Sequence, residues 1–117
     1  MNLKNDTTTT IMDFRKELKK FVEERDWNQY HTAKSLAIAL NIEAAELLEI
    51  FLFKSDGYIP ENLTSLTDEM ADVFIYLLNL VNSLNIENFT EIVKQKIIKN
   101  AKKYPIDKFS SHNYKKQ

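Results

Sequence analysis

Apolar residues near the start of the chain recur at the spacing of a helix rather than a strand. Phe14, Leu18, Phe21 and Val22 follow at intervals of four, three and one, which stacks them into one stripe at 3.6 residues per turn. The pattern predicts a helix from about Ile11 to Arg25, with Thr10 as N-cap and Asp13 as its third residue. Residues 26–30 break the period. A second helix is predicted from about Ala33 to Phe53, capped by Thr32. The run from Ser55 to Pro60 has the composition of a loop. A third helix is predicted from about Leu66 to Leu84, capped by Ser65 or Thr64. After Asn85-Ile86-Glu87, Asn88 opens a fourth, with Glu91 completing an Asn-x-x-Glu capping box. Pro105 ends it near Tyr104. Residues 1–9, with the tract that begins at Thr7, read as a frayed start, and residues 106–117 as a basic tail.

Four helices with short connections predict an all-α fold, an antiparallel four-helix bundle over residues 10–105. The second helix is unusual. Leu36, Leu40, Leu47 and Ile50 share one face, and Ala37, Leu48, Phe51 and Leu52 make the opposite side apolar too. A helix apolar nearly all round is buried nearly all round. One chain of 117 residues cannot enclose its own helices so completely. The expectation is a homo-oligomer packed through the second and third helices, a dimer at least and preferably a tetramer.

Composition narrows the chemistry. Gly57 is the only glycine, which excludes a glycine-rich phosphate loop. The absence of cysteine excludes disulfides, thiolate zinc, iron–sulfur clusters and a cysteine nucleophile, and is compatible with a cytoplasmic location. No apolar run reaches the roughly 18–20 residues of a membrane span. Residues 1–10 lack the apolar stretch of a signal peptide. A net charge of −1 gives no global field toward nucleic acid or membrane, so neither is expected as a partner.

The distribution of charge says more than its total. Between residues 36 and 84 the only base is Lys54, against eight acids, while residues 85–117 carry eight bases and three acids. Glu43, Glu46 and Glu49 are the only charges from Leu36 to Phe53, and none has a Lys or Arg one turn away inside that helix. Glu43 and Glu46 share the side of Leu36 and Leu40 and therefore face the core. Glu69 and Asp72, three apart, repeat the pattern ahead of the apolar run Val73 to Leu78. Burying unpaired carboxylates costs several kcal/mol at the least. Four converging ones repel unless protonated or neutralised by a cation.

Carboxylates with few nitrogens nearby form a hard oxygen site, suited to Mg²⁺ or Mn²⁺. The competing reading is of surface acids, or acids paired with lysines of the fourth helix. A di-iron bundle would need Glu-x-x-His motifs, and neither His31 nor His112 has a Glu three residues earlier. On the fourth helix Lys96, Lys99, Asn100 and Lys103 fall within about one face, followed by Tyr104. Opposite an acidic metal site they make sense as phosphate partners. Trp27, Tyr30, Phe53 and Tyr76 offer stacking surfaces for a base, though each would serve equally as core or interface.

Four blocks carry a resemblance to a known family. They are Glu24-Arg25-Asp26-Trp27 with the following His31, then Leu40-Asn41-Ile42-Glu43-Ala44-Ala45-Glu46-Leu47-Leu48-Glu49, then Asp68-Glu69-Met70-Ala71-Asp72-Val73-Phe74-Ile75-Tyr76, and finally Lys96 to Pro105. In this order, with short spacers, the chain resembles the all-α nucleoside triphosphate pyrophosphohydrolases, the MazG-like group, nearest to its dCTP pyrophosphatase branch. The resemblance implies metal ligands at Glu43, Glu46, Glu69 and Asp72. It implies phosphate contacts at Tyr76, Lys96, Asn100, Lys103 and Tyr104, and an aromatic wall for the base at Trp27 and Phe53, with His31 beside it. The implied reaction splits a nucleoside triphosphate between the α and β phosphates into the monophosphate and pyrophosphate. Glu49, one further i+3 step along the acidic stripe, is the candidate base for the attacking water.

The chain departs from that pattern at Ile42 and Ala45, where glycines are usual. It also departs at Phe53, where the dCTP branch has Trp, and at Leu18, where that branch has a polar residue. The last two bear on the base preferred, and a dUTP- or (p)ppGpp-directed hydrolase uses the same carboxylates. The alternative of another class is a helical adaptor that needs no metal.

Overall fold

Thr10 opens the first helix with both limbs of a capping box. Its hydroxyl accepts from the Asp13 N–H (3.1 Å), and the Asp13 carboxylate accepts from the Thr10 N–H (2.9 Å). The computed structural model describes residues 1–109. In it α1 spans Ile11–Glu24, α2 Ala33–Glu49, α3 Thr64–Ser83, α4 Phe89–Lys103 and α5 Ile106–Phe109. A 3-10 turn, Asn28–Tyr30, lies between α1 and α2. The described residues hold no strand, and no helix among them is long and apolar enough to cross a membrane. The all-α class predicted from the periodicity is the class observed. Of the stretch predicted as a tail, residues 106–109 form α5, and residues 110–117 lie outside the described residues.

With one glycine in the chain, helices end on other residues. At the end of α1, Asp26 takes a left-handed conformation (φ 53°). Its N–H donates to the Glu23 carbonyl (3.1 Å), and that of Trp27 to the Val22 carbonyl (3.0 Å). α3 ends in the same way, with Asn85 (φ 53°) and the Ile86 N–H on the Val81 carbonyl (3.3 Å). Both are Schellman closures, and Asp and Asn tolerate the left-handed region best after glycine.

Three boundaries differ from the sequence reading. α2 ends at Glu49 rather than near Phe53: Ile50 to Leu52 form a tightened turn, and Phe53 then reverses the backbone at φ 63°. α3 is capped by neither Thr64 nor Ser65. Leu63 is its N-cap, and the Asn62 side chain accepts from the Thr64 N–H (2.9 Å). At α4, Asn88 accepts from the Glu91 N–H (3.2 Å), but the Glu91 carboxylate receives Gln95 instead of closing the box.

The chain divides after Ile86 into two compact units. In the first, α3 packs against both α2 and α1. Val22, Leu36, Leu78 and Val81 are buried at its centre, and the Phe14 and Phe74 rings meet edge to face at 5.3 Å. The far side of α2 is open: Ile38, Ile42 and Leu48 are each more than half exposed, as is Met70 on α3. In the second unit α4 has no buried residue, and Ile92, Val93, Ile97 and Ile98 are exposed.

Arg15 is the one buried cation of the first unit. Its Nε donates to the Asn82 carbonyl oxygen (2.9 Å), Asn82 Nδ2 donates back to the Arg15 backbone carbonyl (3.0 Å), and the guanidinium donates to the Ile86 carbonyl. The side chain thus ties α1 to the closing turn of α3. Arg15→Met keeps the length and leaves those acceptors without a donor, so urea unfolding should show a loss of about 1–3 kcal/mol. Asn82→Ala should cost a similar amount, and the double variant less than the sum.

Candidate metal centre

α2 and α3 run antiparallel, because Ser83 at the end of α3 reaches His31 just before α2 (3.0 Å) while the later part of α2 meets the start of α3. That pairing brings the two acidic motifs face to face. Glu43, Glu69 and Asp72 each place a carboxylate oxygen within 4.8 Å of the others. One oxygen of Glu43 and one of Glu69, both Oε2, are buried and have no hydrogen-bond partner. A buried oxygen without a donor carries its full desolvation cost. The ion pairs seen among the described residues, Lys20 with Glu24 and Lys94 with Glu91, involve none of Glu43, Glu46, Glu69 and Asp72.

The electrostatics follow from this crowding. Burial, above all, pushes the Glu43 carboxyl up to about 7, helped by a hydrogen bond and charge repulsion from Glu46 and by the charge of Asp72. The Glu69 carboxyl is also raised, by burial first and then by Glu46. Glu46 stands outside the tightest three but touches both Glu43 and Glu69. All four predicted acids therefore share one seam, as acceptors without matching donors. A hard divalent cation would supply the missing charge, and an all-oxygen donor set suits Mg²⁺, Mn²⁺ or Ca²⁺.

The remaining predicted residues are spread around the fold. Glu49 is exposed at the last position of α2, outside the group of three. Tyr76 is half-buried on α3, one turn beyond Asp72 on the same side. Trp27 and His31 sit on the connection between α1 and α2, with ring centroids 6.1 Å apart. Phe53 is fully exposed after α2 and forms no ring pair with Trp27. Leu18 is half-buried on α1, and Tyr30 is exposed. On α4, Lys96, Asn100 and Lys103 share one exposed face, and the Lys103 ammonium lies 5.4 Å from the Tyr104 ring.

Two features escaped the sequence reading. The Arg25 guanidinium lies 3.5 Å over the Phe21 ring, and Phe21 meets Trp27 edge to face at 5.7 Å, so Trp27 belongs to a cation–aromatic stack. The four-residue spacing of Phe21 and Arg25 was the available signal. The bond from Ser83 to His31 joins residues 52 apart and leaves none.

The raised Glu43 fixes the sign of a pH effect. Its folded value, about 7, exceeds the ordinary value of 4.5, so the folded metal-free chain holds that proton more tightly than the unfolded chain. The stability it contributes is complete below about pH 4.5 and is lost as pH rises through about 7. In EDTA, the stability of the wild type relative to Glu43→Gln should fall between pH 5 and pH 8, read from urea midpoints. A flat difference would remove Glu43 from the crowded seam.

Comparison with known proteins gives the chain its relatives. The family model described as MazG-like matches residues 38–117. dCTP pyrophosphatase 1 of Mus musculus is 34% identical over 103 residues, 83% of this chain and 60% of that protein. The Homo sapiens protein of the same name is 34% identical over 113 residues, 90% of this chain and 66% of that one. The chain thus spans about 60% of the length of the first curated relatives it matches. The crystal structure of a pyrophosphatase from Archaeoglobus fulgidus DSM 4304 superposes with a TM-score of 0.75 at 34% identity, covering 90% of this chain and 98% of that one. The sequence blocks, the helical fold and the facing carboxylates have one common explanation: the chain belongs to the MazG-like family.

Proposed function

We propose that the chain is a nucleoside triphosphate pyrophosphohydrolase dependent on Mg²⁺, with Mn²⁺ as a substitute, acting on dCTP or a modified nucleotide in the cytoplasm. The observation that carries this is the seam of four acids with two buried, unpartnered oxygens. Relatives named dCTP pyrophosphatase 1 support the substrate class. Phe53 and Leu18 leave the choice of base to experiment, dUTP and (p)ppGpp included.

Glu43, Glu46, Glu69 and Asp72 would hold the cation, which would supply neutralisation of phosphate charge and a lowered pKa of water. Trp27, His31 and Phe53 receive the base by stacking. Tyr76 contacts the triphosphate, as do Lys96, Asn100, Lys103 and Tyr104 of the basic helix, assigned by charge and by the family resemblance. Glu49, exposed beyond the acid seam, takes the proton of the attacking water. The water oxygen bonds to the α phosphorus, the bond from that phosphorus to the bridging oxygen breaks, and pyrophosphate leaves with the electron pair.

Glu46→Gln keeps the size of the side chain and removes one charge. Pyrophosphate release with Mg²⁺ should fall at least ~10²-fold. Stability in EDTA should hold or rise, because Glu46 repels both Glu43 and Glu69. A variant active with Mg²⁺ but unstable in EDTA would mean that the acids are structural, as would be the case in an adaptor.

We also propose a homo-oligomer, dimer or tetramer, joined through the exposed apolar side of α2 formed by Ile38, Ile42 and Leu48. Light scattering should report a mass at least twice 13.8 kDa, and Ile42→Lys should lower it. A monomeric wild type would refute the assembly.

A further inference from the structure

The α1–α2 connection bears Trp27 and His31 yet has almost no core of its own. Residues 25–30 are all exposed, and His31 is half-buried. Its internal bonds, Tyr30 N–H to the Trp27 carbonyl (2.9 Å) and His31 N–H to the Asn28 carbonyl (3.2 Å), set its shape. They do not set its place. Placement comes from contacts with the flanking helices: the Asp26 N–H donates to the Glu23 carbonyl of α1 (3.1 Å), and the Trp27 ring meets Phe21 edge to face (5.7 Å). The Trp27 N–H donates back into α1, at the Val22 carbonyl. The Ser35 hydroxyl, on the first turn of α2, donates to the Tyr30 carbonyl (2.7 Å). The Ser83 hydroxyl, on the last turn of α3, donates to the His31 carbonyl (3.0 Å).

Of these contacts only the Ser83 bond reaches α3, the helix that carries Glu69 and Asp72. A serine near a helix end can satisfy its hydroxyl on its own helix, at the carbonyl one turn back. Ser83 reaches across instead. Asp72 and Ser83 stand on one continuous helix, about 16 Å apart along its axis. A bond at Ser83 therefore fixes the distance and direction from the acids to the aromatic pair.

We infer that Ser83 is a positioning residue: its bond to the His31 carbonyl holds the Trp27–His31 platform in register with the carboxylates of α3. The inference rests on the reading above in which that platform receives the base. It gives the site a specificity element that touches neither nucleotide nor metal.

Trp27 is the only tryptophan, so tryptophan emission, excited on the red edge where the five tyrosines do not absorb, reports on this connection alone. Ser83→Ala should raise the acrylamide quenching constant of Trp27 in the ligand-free protein. It should also raise KM for dCTP about threefold to tenfold, the range carried by a single neutral hydrogen bond, with kcat nearly unchanged. Ser83→Thr keeps the hydroxyl and should restore both. Quenching in Ser83→Ala equal to that of the wild type overturns the tether. Altered quenching with an unchanged KM overturns its role in substrate placement and takes Trp27 and His31 out of base binding. A wild type that releases pyrophosphate from no nucleotide sinks the hydrolase reading alone, and the quenching comparison still decides the tether.

Discussion

Like charges held together at the edge of an apolar core are the constraint on which the rest of this molecule turns. α2 and α3 supply most of the packing of the first unit, and the same two helices carry the acids that oppose it. Leu36 and Leu78 are sealed almost completely, while two carboxylate oxygens nearby are sealed without partners. Hydrophobic burial and electrostatic repulsion thus act across one seam. The balance is tolerable because the repulsion can be removed in two ways, by a proton or by a cation. A helix pair optimised for stability alone would carry leucine at those positions.

The first unit answers this tension with fixed ends. Schellman closures stop α1 and α3 on Asp26 and Asn85, and Arg15 ties the start of α1 to the closing turn of α3. Serine hydroxyls take up two successive carbonyls of the α1–α2 connection. None of these contacts is large. Together they leave the two acid-bearing helices little freedom to slide apart, so the carboxylates stay gathered.

Much of this was legible in the sequence, for identifiable reasons. The acids stood out because Glu43, Glu46, Glu69 and Asp72 interrupt apolar stripes with no base one turn away, a pattern that a shared site explains. Thr10 and Thr32 announced their helices because capping is local. The end of α2 was hidden, because Phe53 makes a reversal that glycine usually makes and nothing in its neighbours marks it. The capping box at Asn88 was half right, since Glu91 had a second suitor in Gln95. The grip of Ser83 on His31 was invisible because hydrogen bonds across 52 residues follow from packing and not from pattern.

Phe53 has a consequence of its own. A bulky side chain in the left-handed region is strained, of order 1–3 kcal/mol, and this ring gains nothing from burial, being fully exposed. The backbone reversal also limits the directions in which the ring can point. Whatever covers it gains the burial that the lone chain leaves unused, and still has to fix the rotamer of an uncontacted ring. The lone chain bears that strain with no burial in return, for an exposed aromatic handle just beyond the acidic helix.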